Sequence, residues 1–233
     1  MRKVIFSLAA LLLLVSCGSV RYSSSDFKPI DVREFAFIQP CACIDKNWID
    51  GTFYDQPETD KAAQTVADVV NAERFPFSEM IRADYYEDGV NADILQWAKT
   101  LPGIKAKNSG RLRIPRSLMT MLDGTQERYA VFIYSYGYVT TVDAYQKEKR
   151  EKAISHAVDI VAENLTGVKG LTNPSQNYTP KNPYGNEMVC VVIDKQEECV
   201  VSYKKQTAFF PSHPTDYEDV SKMLHKLLKD YIR

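Results

Sequence analysis

The sequence predicts a layered α/β domain, a mixed β-sheet flanked by helices. Three observations carry this: a short apolar run near residue 35, a long β-branched and aromatic run over 129–142, and amphipathic helical segments between and after them. The order strand, helices, strand, helix, hairpin, helix fits one mixed sheet with helices packed on it.

Glu34 to Pro40 is a compact apolar run ended by proline, which suits a buried first strand. The next twenty residues read as loop, with Asp50-Gly51 and Pro57 inside them. Thr59 or Asp60 then caps a helix that places Ala63, Val66, Val69 and Val70 on one face and stops near Phe75-Pro76. A second helix runs through Ile94, Leu95, Trp97, Ala98 and Leu101 to Pro102-Gly103. A third begins at Pro115 and groups Leu118, Met119 and Leu122.

Tyr129 to Val142 is the strongest strand signal, dense in Val, Ile, Phe, Tyr and Thr. A helix follows from about Ala144 to Leu165, with Ile154, Ala157, Val158 and Val161 as its apolar positions and Gly167 as its stop. Leu171 to Asn186 reads as a long loop with Pro174, Pro180 and Pro183. Met188–Ile193 and Cys199–Lys205 form a hairpin across a polar turn. Thr215-Asp216-Tyr217-Glu218 has the pattern of a capping box, opening a terminal helix with Val220, Leu224, Leu227, Leu228 and Tyr231 on one side together with Tyr217.

The first 16 residues have the layout of a signal peptide: Arg2 and Lys3, then an apolar run from Val4 through Val15. Leu14-Val15-Ser16-Cys17 fits a bacterial lipoprotein, with Cys17 as the lipidated first residue after cleavage. Two alternatives are a retained signal anchor and secretion with cleavage elsewhere. A spanning helix needs roughly 20 apolar residues, and this run is shorter and interrupted by Ser7. Residues 17–33, Ser-rich and aperiodic up to Lys28, read as lipidated cysteine plus flexible tether, and 34–233 as a single globular domain. The expected place is the outer membrane, lipid-anchored and facing the periplasm. Position 18 is not Asp, which agrees with that sorting.

Losing Arg2 and Lys3 with the leader leaves 27 basic against 30 acidic side chains. A nucleic-acid partner calls for a basic face, so none is expected. The 45% hydrophobic content is enough for one sizeable core.

Ile114-Pro115-Arg116-Ser117-Leu118-Met119 leading into Tyr129-Ala130-Val131-Phe132-Ile133-Tyr134, and the pair Val191-Val192-Ile193-Asp194 and Val200-Val201-Ser202-Tyr203, carry a resemblance. Together with the order of elements they resemble a group of bacterial envelope lipoproteins: the curli-secretion lipoprotein, the lipoprotein activators of penicillin-binding proteins, and the TolB amino-terminal domain. The resemblance extends over most of 34–233. It departs at the hairpin turn, where Glu197-Glu198 replaces the usual glycine, and over 41–58, which matches nothing in the group. It implies a protein that binds or assembles other envelope components, and it transfers no catalytic residue.

The candidate site residues are few. Tyr134, Tyr136 and Tyr138 share one strand face by period-two alternation: either core under a helix or, if uncovered, a surface for a partner or a sugar. Tyr178 and Tyr184 sit in the Pro-rich segment, which is a second partner-binding candidate. Cys190 and Cys199 lie on adjacent hairpin strands, where a disulfide depends on register; with Cys41 and Cys43 the alternatives are core thiols or a four-thiolate zinc site. Asp84, Glu87 and Asp88 around Tyr85-Tyr86 read as a solvated loop or a cation or sugar site. His156, His213 and His225 have no metal-pair spacing, and no nucleophile elbow, P-loop or dinucleotide fingerprint occurs. No cofactor and no metal is expected. The reading is a non-catalytic envelope lipoprotein working through protein–protein contacts, with an envelope hydrolase acting on glycan or peptide as the alternative.

Overall fold

The computed structural model describes residues 20–73, 75–82, 89–166, 182–208 and 211–232. Cys17, Tyr178 and the acidic cluster around Tyr85-Tyr86 lie outside the described residues.

Eight strands form one mixed sheet: β1 (Val20–Ser23), β2 (Phe35–Ile38), β3 (Cys41–Trp48), β4 (Gly51–Tyr54), β5 (Phe77–Ile81), β6 (Tyr129–Thr140), β7 (Tyr184–Asp194) and β8 (Cys199–Thr207). The helices are α1 (Gln56–Ala72), α2 (Val90–Ala98), α3 (Arg116–Asp123), α4 (Val142–Thr166) and α5 (Tyr217–Leu228). The sheet runs β1-β8-β7-β6, all antiparallel neighbours. On the other edge of β6 two strands lie end to end. β2 pairs in parallel with the start of β6, and β3 in parallel with its second half. Pro40 separates them, because it offers no N–H to the ladder. β5 completes the sheet outside β2 and β4 outside β3.

Parallel pairing requires crossovers, and these put helices on both faces. α1 and α5 cover one face, burying Val66, Val69, Val70, Val220, Leu224 and Leu227 against Phe35, Phe37, Val131, Ile133 and Val192. α2, α3 and the turn at Leu101–Gly103 cover part of the other, where Trp97, Leu101, Leu118, Met121 and Leu122 meet Phe132, Tyr134, Val191 and Tyr203. The expected α/β fold is therefore what the chain adopts.

Several boundaries differ from the sequence reading, each for a local reason. The segment 17–33 is no simple tether: Val20–Ser23 adds an edge strand to β8, and Phe27 is buried on Tyr129. Residues 41–54, read as loop, are the β3–β4 hairpin, whose half-buried polar face hides the alternation. α1 starts earlier than Thr59, because the Asp55 carboxylate caps it by accepting from the Glu58 N–H at 2.9 Å. Thr59 instead turns inward and its hydroxyl accepts from the Ile44 N–H. The terminal helix is capped by Asp216, which accepts from the Asp219 N–H at 3.0 Å, so Thr215-x-x-Glu218 is not the capping box. The Thr215 hydroxyl lies on His213 Nδ1, and Tyr217 is exposed. In α3, Met121 joins Leu118 and Leu122 in the core, and Met119 packs at its margin. On α4, Ile154 and Val158 are exposed, with no helix or sheet face over them among the described residues.

The hairpin turn explains how the chain manages without glycine. Asp194 Oδ1 accepts from the Gln196 and Glu197 N–H groups, Arg128 clamps the carboxylate with two nitrogens, and Glu198 takes the left-handed conformation at φ 49°.

Candidate functional site

The helical cover of β6 stops before the strand does. Phe132 packs on Trp97 with ring centroids 5.4 Å apart, and Tyr134 is 2% exposed. Past Tyr134 the same face opens into a cleft of about 860 Å³. Its floor is Tyr134, Tyr136 and Tyr138 on β6, Glu187 on β7 and Thr207 on β8. Its walls are Cys43, Asp45 and Asn47 on β3, Thr52 on β4, Lys99 and Pro102 after α2, and Tyr184 and Ala208 at the far rim.

The register decides this grouping. Tyr134 pairs with Cys41, Tyr136 with Cys43, and Tyr138 with Asp45 across the parallel ladder; Tyr136 pairs with Glu187 across the antiparallel one. All these side chains point to one face because alternate residues do. Tyr134 and Tyr136 stack at 5.7 Å and 15°. Tyr138 lies across Gly185, where an added Cβ would come within 2.8 Å of the ring. Gly137 is tighter still: a Cβ there would stand 2.0 Å from the Gly185 carbonyl oxygen.

Glu187 anchors the floor. One oxygen, Oε2, accepts from the Tyr136 hydroxyl, from the Thr207 hydroxyl at 3.1 Å and from the Lys205 ammonium at 3.0 Å. Lys205 also donates to the Pro102 carbonyl at 3.3 Å and lies 5.4 Å from the Tyr136 ring centroid, tying the floor to the turn after α2. Partial burial pushes the Glu187 carboxyl up, but the three donors and the nearby charge hold it below the ordinary carboxylate value. Burial, and then the Glu187 carboxylate, push the Tyr136 phenol up, so it stays protonated. Burial and the neighbouring Cys43 do the same to Tyr134, and burial and Glu148 to Tyr138. On the rim, Lys99 lies 5.7 Å from the Tyr54 ring centroid.

The sequence-derived residues divide accordingly. The structure brings Tyr134, Tyr136, Tyr138 and Tyr184 to one cleft. Tyr134 is core and the other two strand tyrosines are half-buried. Tyr184 is the first residue of β7, not part of a loop, and tilts against His213 at 5.1 Å. Cys190 and Cys199 are free thiols. Cys199 pairs with Asp194 and Cys190 with Lys204, four positions further along the hairpin. At roughly 3.3 Å per residue that is about 13 Å, beyond disulfide reach. The zinc alternative fails as well: Cys41 and Cys43 face the tyrosine side, and Cys190 packs into the α1/α5 layer. Among the described residues no three His, Cys, Asp or Glu side chains are placed to hold a metal. Burial pushes the Cys41 and Cys190 thiols up to about 12, so both stay protonated at neutral pH.

Asp45, Lys99, Glu187 and Lys205 are site residues that sequence reading missed. A signal was present for one of them, since extending β7 back to Tyr184 by alternation sets Glu187 on the face of Val189 and Val191.

No family model and no curated protein matches the sequence. Similar solved structures include the PelC dodecamer of Paraburkholderia phytofirmans, at 10% identity and a TM-score of 0.38, covering 92% of this chain and 96% of that one. A DUF4136 family protein of Bacteroides thetaiotaomicron is similar over the same shares, at 8% identity and a TM-score of 0.30. These neighbours are bacterial proteins, and the narrower group of curli-secretion, activator and TolB-type proteins has no family match behind it.

Proposed function

We propose that this chain is a bacterial envelope lipoprotein, held by lipid on Cys17 at the periplasmic face of the outer membrane, that works by docking another envelope protein in the tyrosine cleft. The observation that carries the docking role is the state of Glu187. A general acid in glycoside or peptide hydrolysis needs a carboxyl raised toward neutrality and free to exchange a proton. Glu187 is the reverse: ionised, with one oxygen accepting from three donors. Such a network fixes the shape of the floor. Around it stand phenol rings, which present flat apolar area with hydrogen-bonding edges, the surface that protein partners use. The leader and Leu14-Val15-Ser16-Cys17 support the anchor.

Photocrosslinking residues placed at Tyr138 and Thr52, on floor and wall, test the docking role in intact cells. The expected result is one adduct of the same mass from both positions and none from Lys222, an exposed position on α5. Adducts that differ between Tyr138 and Thr52, or that Lys222 also yields, would remove the cleft as the docking site. Fatty-acid labelling that survives Cys17→Ser would remove the anchor.

A further inference from the structure

The β3–β4 hairpin ends in large apolar side chains that the described residues leave about half-exposed. Trp48 is 49% exposed, Ile49 54%, Phe53 55%, and beside them Val142, the first residue of α4, is 74% exposed. The Thr141 N–H donates to the Asn47 carbonyl at 2.9 Å, which seats Val142 next to the hairpin tip. Lys46, ion-paired with Asp55 at 3.4 Å, stands 5.4 Å from the Trp48 ring centroid, behind the aromatic group. Strand-tip exposure of this kind is ordinary for one residue and unusual for four neighbours.

The topology says what this end of the molecule faces. Val20 pairs with Lys205, Lys205 with Val189, and Val189 with Tyr134, so β1 begins level with Tyr134. β1 runs antiparallel to β8, so its first residue, Val20, lies at the end of β1 nearest Thr207, Glu187 and Tyr136, the cleft end of the sheet. β3 runs parallel to β6 and turns at Trp48, one residue past the level of Thr140, at that same end. Cys17 precedes Val20 by three residues, so its Cα lies within about 11 Å of Val20 whatever path the chain takes. The tip, seven residues beyond the level of Tyr134, stands about 23 Å further along the strands. It therefore projects roughly 12 Å past the farthest reach of Cys17 in that direction. A leaflet lying across this end of the sheet, with acyl chains from Cys17 in it, would meet the hairpin tip.

We infer that Trp48, Ile49, Phe53 and Val142 form a second membrane foot, a shallow interfacial contact with the leaflet that anchors Cys17. The inference rests on the lipoprotein reading for its direction and on the exposed side chains for its chemistry. Trp and Phe with an adjacent Lys is the composition of the headgroup boundary, where rings lie in the apolar edge and the ammonium stays in water. No helix among the described residues is long and apolar enough to cross a membrane, so the contact is interfacial. The hairpin tip lies four sheet spacings from β1, about 19 Å across the sheet, so contacts at both edges would fix the tilt of the sheet.

The test uses the chain's two tryptophans, of which Trp97 is buried. Full-length protein purified from membranes is reconstituted in phosphatidylethanolamine and phosphatidylglycerol vesicles whose acyl chains carry bromine. The expected result is about two-fold quenching of emission by shallow bromine, abolished in Trp48→Phe, and a blue shift of the Trp48 component. Ile49→Ser with Phe53→Ser should lower the quenching several-fold and leave far-ultraviolet circular dichroism unchanged. Equal emission in brominated and plain vesicles overturns the inference. So does a concentration-dependent dimer that Ile49→Ser and Phe53→Ser abolish in the absence of lipid, because the tip then belongs to a second copy. Fatty-acid label on the same preparation reports the anchor separately. Unlabelled protein that still shows Trp48 quenching overturns the lipoprotein reading and leaves the membrane foot standing.

Discussion

The two ends of β6 carry similar residues and do opposite work. From Ala130 to Tyr134 the strand is closed on both faces, with Phe132 at 0% exposure under Trp97 and Val131 and Ile133 under α1 and α5. From Tyr136 to Thr140 no helix among the described residues closes the cleft face, and its order comes from polar contacts within the sheet: Tyr136, Thr207 and Lys205 on Glu187. One end is held by area removed from water and the other by directed hydrogen bonds, which leave the aromatic faces available. An aromatic residue in a strand is thus core or surface according to where the neighbouring helices stop.

The sharpest way to test that contrast is to make the same truncation at both ends. Phe132→Ala should cost about 3–5 kcal/mol, since it removes a ring from a packed layer that collapses only in part. Tyr138→Ala, six residues along the same face, should cost about 1 kcal/mol, the scale of a cross-strand aromatic contact on a half-exposed surface. Urea unfolding followed by circular dichroism gives both numbers. Comparable losses would mean that the far end is as tightly packed as the near one.

A second test adds an atom. Gly137 sits where β6 and β7 approach so closely that a Cβ would overlap the Gly185 carbonyl, and backbone does not move aside as a flexible side chain does. Gly137→Ala should cost about 1–3 kcal/mol and weaken the ladder beyond Tyr136 selectively. Amide exchange in β7 reads this: faster exchange at Tyr184 to Glu187 and unchanged exchange at Val191 to Ile193. Uniform acceleration would mean that the two ends unfold as one unit.

How much of this was legible in the sequence follows the same division. The closed end was readable because burial writes a pattern: Phe35–Ile38, Tyr129–Tyr134 and, Tyr217 apart, the hydrophobic side of α5 lie where the sequence pattern puts them. The open end was not. In β3, Asp45, Lys46 and Asn47 are polar because they border a cleft, a rim and solvent, so the segment reads as loop. Caps misled by one residue at α5, where Asp216 stands in for Thr215, and by four or more at α1, where Asp55 stands in for Thr59 or Asp60. The cleft itself depends on register between strands far apart in sequence, which no local pattern contains. Tyr136 was readable as a surface candidate; that Glu187, 51 residues on, accepts its proton donor was not.

The smallest effect belongs to Glu187, and its sign follows from where its carboxyl sits. Partial burial alone would raise it, but the Tyr136, Lys205 and Thr207 donors bring it below the ordinary value of 4.5, so the folded state prefers the ionised form. A carboxylate lowered by folding contributes stability that is present above its unfolded value and is lost as pH falls through the lower, folded value. Glu187→Gln keeps the shape and part of the hydrogen bonding but has nothing to titrate. At neutral pH the variant should therefore melt slightly below the parent, and the gap should narrow as pH drops below about 4.5. Melting curves of both proteins from about pH 7 to about pH 3 at low salt supply the comparison. Two parallel lines would show that the ionised form of Glu187 contributes nothing to the open end, and the fixed floor on which the docking role depends would have to be held by the tyrosine stack alone.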